Sequence, residues 1–222
     1  KPWYRQLCKR PCFHDEYLAT FNRPNVHLID TQGKGVDRIT EHGIVANGVE
    51  YEVDCLIYAT GFEVGTDYAR RAGYQVYGRD GLTLSKKWEN GMETYHGFHV
   101  RGFPNLFVVS TGQSGFSANF PHMLREQATH LAYIVRNALD RQVRTLEASA
   151  EAEEAWVETI CKLALLRENF LKECTPGYYN NEGAPERMTK KNSSYGAGPV
   201  AFTKVLEDWR ADGSLKGLEL NT

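Results

Sequence analysis

Two apolar runs that both collapse into small residues set the strongest limit on how this chain folds. The first is "DCLIYATGFEVG", residues 54–65, and the second is "NLFVVSTGQSG", residues 105–115. A short apolar run closed by glycine reads as a buried strand entering a turn. Two such strands predict an α/β sheet, and in such sheets ligands sit outside the carboxyl ends of the strands. Ala59-Thr60-Gly61 and the Gly112 turn are then expected to be neighbours. Glycine there lets backbone amides approach a flat group with no Cβ in the way. The plainer reading is that Gly61 and Gly112 only make turns. The second run weighs against it, because it feeds a helix whose N-terminus carries a positive dipole end.

The remaining patterning fills in an ordinary folded chain. Residues 25–30, "NVHLID", read as a short strand. Residues 36–58 read as a hairpin that turns at Asn47-Gly48 and runs on into the apolar stretch before Ala59. Residues 62–104 look irregular. Phe120, Leu124, Ala128, Leu131, Val135 and Ala138 fall three or four apart, which predicts a helix from about Asn119 to Arg141 with Pro121 in its first turn. A second helix is expected from a Ser149 cap to about Glu173, with Glu151, Glu153 and Glu154 near its positive end. Trp156, Ile160, Leu163, Arg167 and Phe170 share one of its faces. Residues 174–198 are a Gly/Pro/Asn-rich loop, and Pro199 to Asp212 forms a last helix stopped by Gly213.

Composition narrows the classes. The chain has 222 residues and a net charge of −2, which gives no electrostatic case for nucleic acid or an anionic membrane. Its longest apolar runs are about five residues, far below the ~20 of a membrane span. No signal peptide opens it, and it starts without Met, as a piece of a longer protein does. The five cysteines are scattered without a CxxC pair, so no zinc site is expected and reduced thiols in the cytoplasm are the plain reading. His96 and His99 lack a third ligand, so no metal site is expected there either.

Longer motifs then carry a resemblance. Asp54 with "CLIYATGF" matches the D-x(4)-A-T-G segment of flavoproteins that bind two dinucleotides. "CKRPCFHDEYLATFNRPNVHLID" (8–30), "GLTLSKKWENGMETYHGF" (81–98) and "GFPNLFVVSTGQSGFSANFPHMLREQATHL" (102–131) narrow it further. Together they resemble the C-terminal portion of a Baeyer–Villiger monooxygenase, of the class related to cyclohexanone and phenylacetone monooxygenases. The resemblance covers residues 1 to about 210. "ATG" alone is a weak signal; the ordered set is a strong one. The implied fold is the C-terminal part of an α/β flavoprotein with two dinucleotide-binding regions. Residues 1–24 would end the NADP-binding region, 25–145 belong to the FAD-binding domain, and 146–222 form a helical and loop region. The family's phosphate-binding G-x-G-x-x-G turns and its F-x-G-x-x-x-H-x-x-x-W fingerprint do not occur in these residues. This chain alone is therefore expected neither to hold flavin nor to turn over, and an N-terminal half is its implied partner.

The resemblance also assigns roles. It implies FAD and NADPH as cofactors and a ketone as substrate, oxidised to an ester or lactone. Arg10 is the implied catalytic residue, since an anionic reactive oxygen needs a permanent positive charge with a fork of donors. Lys9 would meet the 2′-phosphate of NADPH. Ala59, Thr60, Gly61, Gln113 and Asn119 would line the cofactor. Ser117, Ala118 and Phe120 would shape the ketone pocket; small residues at 117 and 118 suggest room for a bulky or cyclic ketone. Without the resemblance, Lys9 and Arg10 read as a solvated basic cluster with Arg5, and Phe120 and Met123 as ordinary core. His96 reads as a hydrogen-bonding residue. The family's Trp-containing loop is replaced by "CTPGYYNNEG" (174–183), in which Asn180 keeps the amide and Tyr178 or Tyr179 stands in for the Trp. The competing readings are an N- or S-oxygenating flavin monooxygenase, which needs no such arginine, and a non-catalytic binding module.

Overall fold

The Asn-Gly turn does what its chemistry demands. Asn47 and Gly48 both take positive φ, 54° and 77°, the conformation that joins two twisted strands in a two-residue loop. They link β2 (Gly43–Ala46) to β3 (Val49–Glu52), and β1 (Arg38–Ile39) pairs on the other edge of β2. The register runs Ala46 with Val49 and Gly43 with Glu52. The computed structural model describes residues 5–165, 168–177 and 179–222. They divide into two units, one of residues 9–62 and one joining residues 5–8 to those from 63 onward.

The smaller unit contains the three-stranded sheet and a single helical turn, α1 (Tyr17–Thr20). Its hairpin is shorter than the sequence reading, and two expected strands do not form. Residues 25–30 take no strand conformation, and neither do residues 54–60. A strand exists only as part of a hydrogen-bonded ladder, and no described residue offers one to "CLIYA". The run is also not buried: Ile57 and Tyr58 face outward.

The larger unit is mostly helical. After α2 (Tyr68–Ala72) and α3 (Leu84–Lys87) come the long α4 (Phe120–Asp140), α5 (Ala150–Leu163), α6 (Glu168–Glu173) and α7 (Pro199–Asp212). A two-stranded antiparallel sheet, β4 (Thr145–Ala148) with β5 (Leu218–Asn221), completes it. Three apolar clusters hold these together. Phe98, Met123, Trp156, Ile160, Phe202 and Leu206 join α4, α5 and α7. Leu84, Met92, Val100, Phe103 and Val108 pack beneath α3. Ile134, Ala138 and Leu146 fix the end of α4 to β4.

Each expected helix meets a specific correction or confirmation. Asn119 caps α4 through Oδ1, which accepts from His122 N at 3.3 Å. The buried face of α4 is Met123, Gln127, His130, Ile134 and Ala138, not the stripe that begins Phe120-Leu124-Ala128. Both faces carry apolar residues, so periodicity could not choose between them. The helix expected from Ser149 to Glu173 is two helices: Ser149 caps α5 as expected, but Ala164 turns to extended backbone and ends it. Trp156 and Ile160 are core as read; Arg167 lies outside the described residues. α7 ends where Gly213 takes φ 70°, the left-handed conformation that a Cβ disfavours.

"NLFVVST" is likewise not a laddered strand. Asn105 N donates to Leu146 O and Val108 N to Phe98 O, and Val108 is buried while Val109 faces outward.

Candidate functional site

The corner from Thr111 to Phe120 is built from the inside out. Gln113 is fully buried (0% exposed) and takes φ 55°. Its Oε1 accepts from Thr94 N (3.1 Å) and Thr94 Oγ1 (2.6 Å). Its Nε2 donates to Met92 O (2.5 Å) and Lys191 O (2.8 Å). Its own backbone N donates to Ser193 O, and its carbonyl accepts from Trp156 Nε1 at 3.1 Å. The Gln113 side chain is thus wholly committed to protein groups. It joins three segments distant in sequence.

The glycines of this corner answer the question of why they are small. A Cβ on Gly112 would stand 2.6 Å from Met92 Sδ, and one on Gly115 would stand 2.5 Å from Met123 Cε. Both positions are bare because the protein interior approaches them. Gly61 is the opposite case: at φ 87° it has nothing within 4 Å of a built Cβ. Its backbone is open, and Ala59 and Thr60 are also exposed. Residues 60 and 112 fall in different units.

Beyond Gly115 the chain turns outward. Ser117 Oγ accepts from Asn119 N at 3.2 Å, an arrangement that sets up the helix start. Phe116, Ala118 and Phe120 are exposed around the N-terminus of α4, Phe120 by 43%. Phe120 is therefore not a core residue, whereas Met123 is. The exposed helix start adds a positive dipole end to this small, apolar corner, a fit for an electron-rich partner.

An ion-pair network braces the same corner from behind. Lys87 Nζ binds Glu153 (2.6 Å) and Glu93 (2.9 Å), and Lys191 Nζ binds Glu93 (2.5 Å). Burial pushes the Lys87 ammonium down, but the two carboxylates outweigh it and leave it raised. Glu93 is held below the usual carboxylate range because its two lysines outweigh the opposing effect of burial. The network fixes the Lys191 carbonyl that Gln113 uses.

His96, His99 and His130 lie buried among Tyr95, Phe98, Trp156 and Trp209. His96 stacks on Tyr95 at 3.9 Å. Burial pushes His96 to about 3, His99 to about 4 and His130 to about 3, and Tyr95 up to about 12. They are neutral packing groups at physiological pH, and no group of three metal-binding side chains occurs among the described residues.

In the smaller unit Lys9 is half-buried and Arg10 exposed. Cys8, which immediately precedes them, is not a free thiol: it is bridged to Cys174, 166 residues away. This corrects the expectation of reduced thiols; nothing in the spacing of the cysteines signals a pair so remote. Cys12, Cys55 and Cys161 are free. The loop after Cys174 closes around buried Asn180. Its Nδ2 is directed at the carbonyls of Leu171, Cys174 and Thr175, and its Oδ1 accepts from Gly177 N and Gly183 N. Asn180 keeps an amide, as read, but directs it inward. Tyr179 borders on exposed, and Tyr178 lies outside the described residues. No helix among the described residues is long and apolar enough to cross a membrane.

The ordered motifs and the mixed helix-and-strand fold match the C-terminal part of Baeyer–Villiger-type monooxygenases. It is 55% identical over 222 residues to pentalenolactone D synthase of Streptomyces exfoliatus and 50% identical over 222 residues to a Baeyer–Villiger monooxygenase of Stachybotrys chlorohalonatus. These alignments take in 99% and 100% of the chain but only 38% and 36% of those proteins. Among solved structures it matches a polycyclic ketone monooxygenase from Thermothelomyces thermophila with a TM-score of 0.85 and 41% identity, over 99% of this chain and 36% of that one. It also matches NADP+-bound cyclohexanone monooxygenase from Rhodococcus sp. Phi1, with a TM-score of 0.75 and 30% identity over 97% of this chain and 39% of that one. No family model matches the chain.

Proposed function

We propose that this chain is the C-terminal part of an FAD- and NADPH-dependent monooxygenase that inserts one oxygen atom of O2 into a ketone, giving an ester or lactone. The balance is ketone, O2, NADPH and a proton in, and ester, NADP+ and water out. The observation that supports the reading is 50% identity along the whole chain to a Baeyer–Villiger monooxygenase, with 41% identity to a polycyclic ketone monooxygenase of known structure. An N-terminal portion bearing the dinucleotide turns is the implied partner, since the curated relatives are well over twice as long as the stretch matched.

Bound FAD supplies oxygen activation and NADPH supplies the hydride. The residues of this chain bind, orient and exclude water. Arg10 holds its guanidinium against the negative charge that develops on oxygen, and its permanent protonation makes that charge independent of pH. Lys9, its chain neighbour, meets the 2′-phosphate of NADPH. Ala59, Thr60 and Gly61 offer open backbone to the flavin. Asn119 presents the N-terminus of α4 to it. Gln113 contributes by fixing the corner from within. Ser117, Ala118, Phe116 and Phe120 border the ketone, and the small residues among them favour a bulky or cyclic one.

Arg10→Ala in the full-length protein tests this reading. Ketone oxygenation is expected to fall at least ~100-fold, the size of effect seen when a charge-stabilising donor is removed, while NADPH-dependent flavin reduction persists. Unchanged oxygenation would remove the ketone reading and favour oxygen transfer to nitrogen or sulfur.

A further inference from the structure

The segment that precedes Lys9 and Arg10 is anchored, by three contacts, to the end of α6. Arg5 Nη1 meets Glu173 Oε2 at 2.8 Å. The Arg5 guanidinium lies 5.6 Å from the Phe170 ring centroid. Cys8 is bonded to Cys174, with their Cα atoms 5.2 Å apart. The first contact joins two well-exposed groups and holds little by itself. The covalent bond is the strong member of the set. Between them Leu7 takes φ 71°, a conformation that a branched side chain keeps only when its surroundings impose it. At the far end, Cys174 O is one of the carbonyls gathered by buried Asn180. The bridge thus runs from the 174–183 loop to the residue directly before Lys9-Arg10.

We propose that the Cys8–Cys174 bridge is a thiol-sensitive tether that positions Lys9 and Arg10, and that its opening by a dithiol weakens the use of NADPH. The tether rests on the reading of Lys9 and Arg10 given above. In the opening step a thiolate of the dithiol attacks one bridge sulfur and forms a mixed disulfide. The second thiol of the reductant then displaces the protein sulfur. Two electrons and two protons pass to Cys8 and Cys174, which become thiols, and the reductant leaves as its cyclic disulfide. Both cysteines are buried, so attack requires the flanking segment to lift, which its weak ion pair permits. Once opened, the segment loses its fixed end and Lys9 its fixed place. Cys8 and Cys174 are positioning residues, with no contact to reacting atoms.

The experiment uses the full-length protein with and without dithiothreitol. Peptide mapping without reduction should recover the Cys8–Cys174 linked pair. Reduction should raise the KM for NADPH in flavin reduction at least threefold with a smaller change in kcat, and more NADPH should be consumed without product. The Cys8→Ser/Cys174→Ser double variant should match the reduced protein and ignore dithiothreitol. Hydrogen exchange of the unmutated protein should quicken in residues 5–12 and 170–183 alone on reduction. Free thiols at both positions in the untreated protein, an unchanged KM after confirmed reduction, or exchange that quickens throughout would each overturn the tether. Flavin reduction needs no ketone, so a protein that reduces flavin yet forms no ester sinks the Baeyer–Villiger reading and leaves the tether tested separately. A protein without flavin is still decided by the mapping and exchange.

Discussion

A glycine that opens onto free space and one that faces the core look identical in a sequence. Gly61 opens onto free space, whereas Gly112 and Gly115 are pressed by Met92, Met123 and Phe202. The distinction predicts different outcomes for adding one methyl. Gly115→Ala must displace Met123 or Phe202, both fully buried, and overpacking of this kind costs about 1–3 kcal/mol. Urea denaturation should show that loss; a variant within ~0.5 kcal/mol of the parent would mean the corner has slack. Gln113 teaches the same lesson. Its side chain is a buried amide with four groups in reach, which makes it a brace. Thr94, Met92 and Lys191 converge on it only through the tertiary fold.

At the scale of elements, short-range chemistry was readable and long-range pairing was not. The Asn47-Gly48 turn, the helix start near Asn119, the Ser149 cap and the Gly213 stop depend on residues within a few positions, and all stand where the sequence put them. The β4–β5 pair joins segments about seventy residues apart, Ala148 with Leu218, and no local signal announces it. The two glycine-ended runs failed as strands for a related reason, since a strand needs a partner as well as apolar residues. Asn119→Ala removes the acceptor for His122 N and leaves an orphan donor at the start of α4. The expected loss is about 1 kcal/mol, recovered by Asn119→Asp, as thermal denaturation would show. Asp should also sharpen the negative charge at the site corner, and thereby disfavour an anionic ligand there.

The whole molecule carries a titration signature in its three buried histidines. In the unfolded chain each imidazole titrates near ~6.5. In the fold, burial lowers His96 to about 3, His99 to about 4 and His130 to about 3. Between those values and ~6.5 the unfolded state binds up to three more protons, so stability falls as pH drops below ~6.5 and is fully present above it. Urea midpoints should be level above about pH 7 and decline steadily toward pH 4. His99→Phe, which removes a ring whose two nitrogens lack protein partners, should flatten the slope. A midpoint that is constant from about pH 5 to 7 would contradict the histidine account.

The sequence by itself pointed to the class of the chain, the long helix after Asn119, the Ser149 cap, the last helix with its Gly213 stop, and the Asn47-Gly48 turn. Those follow from motifs and from contacts between near neighbours, which a linear string records. Tertiary structure alone decided which glycines are bare for packing, which face of α4 is buried, that Gln113 and Asn180 point inward, and that Cys8 is bonded to Cys174. The bridge joins residues 166 apart in sequence and Gln113 reaches Lys191 across 78, and over such spans distance in sequence carries no information about distance in space.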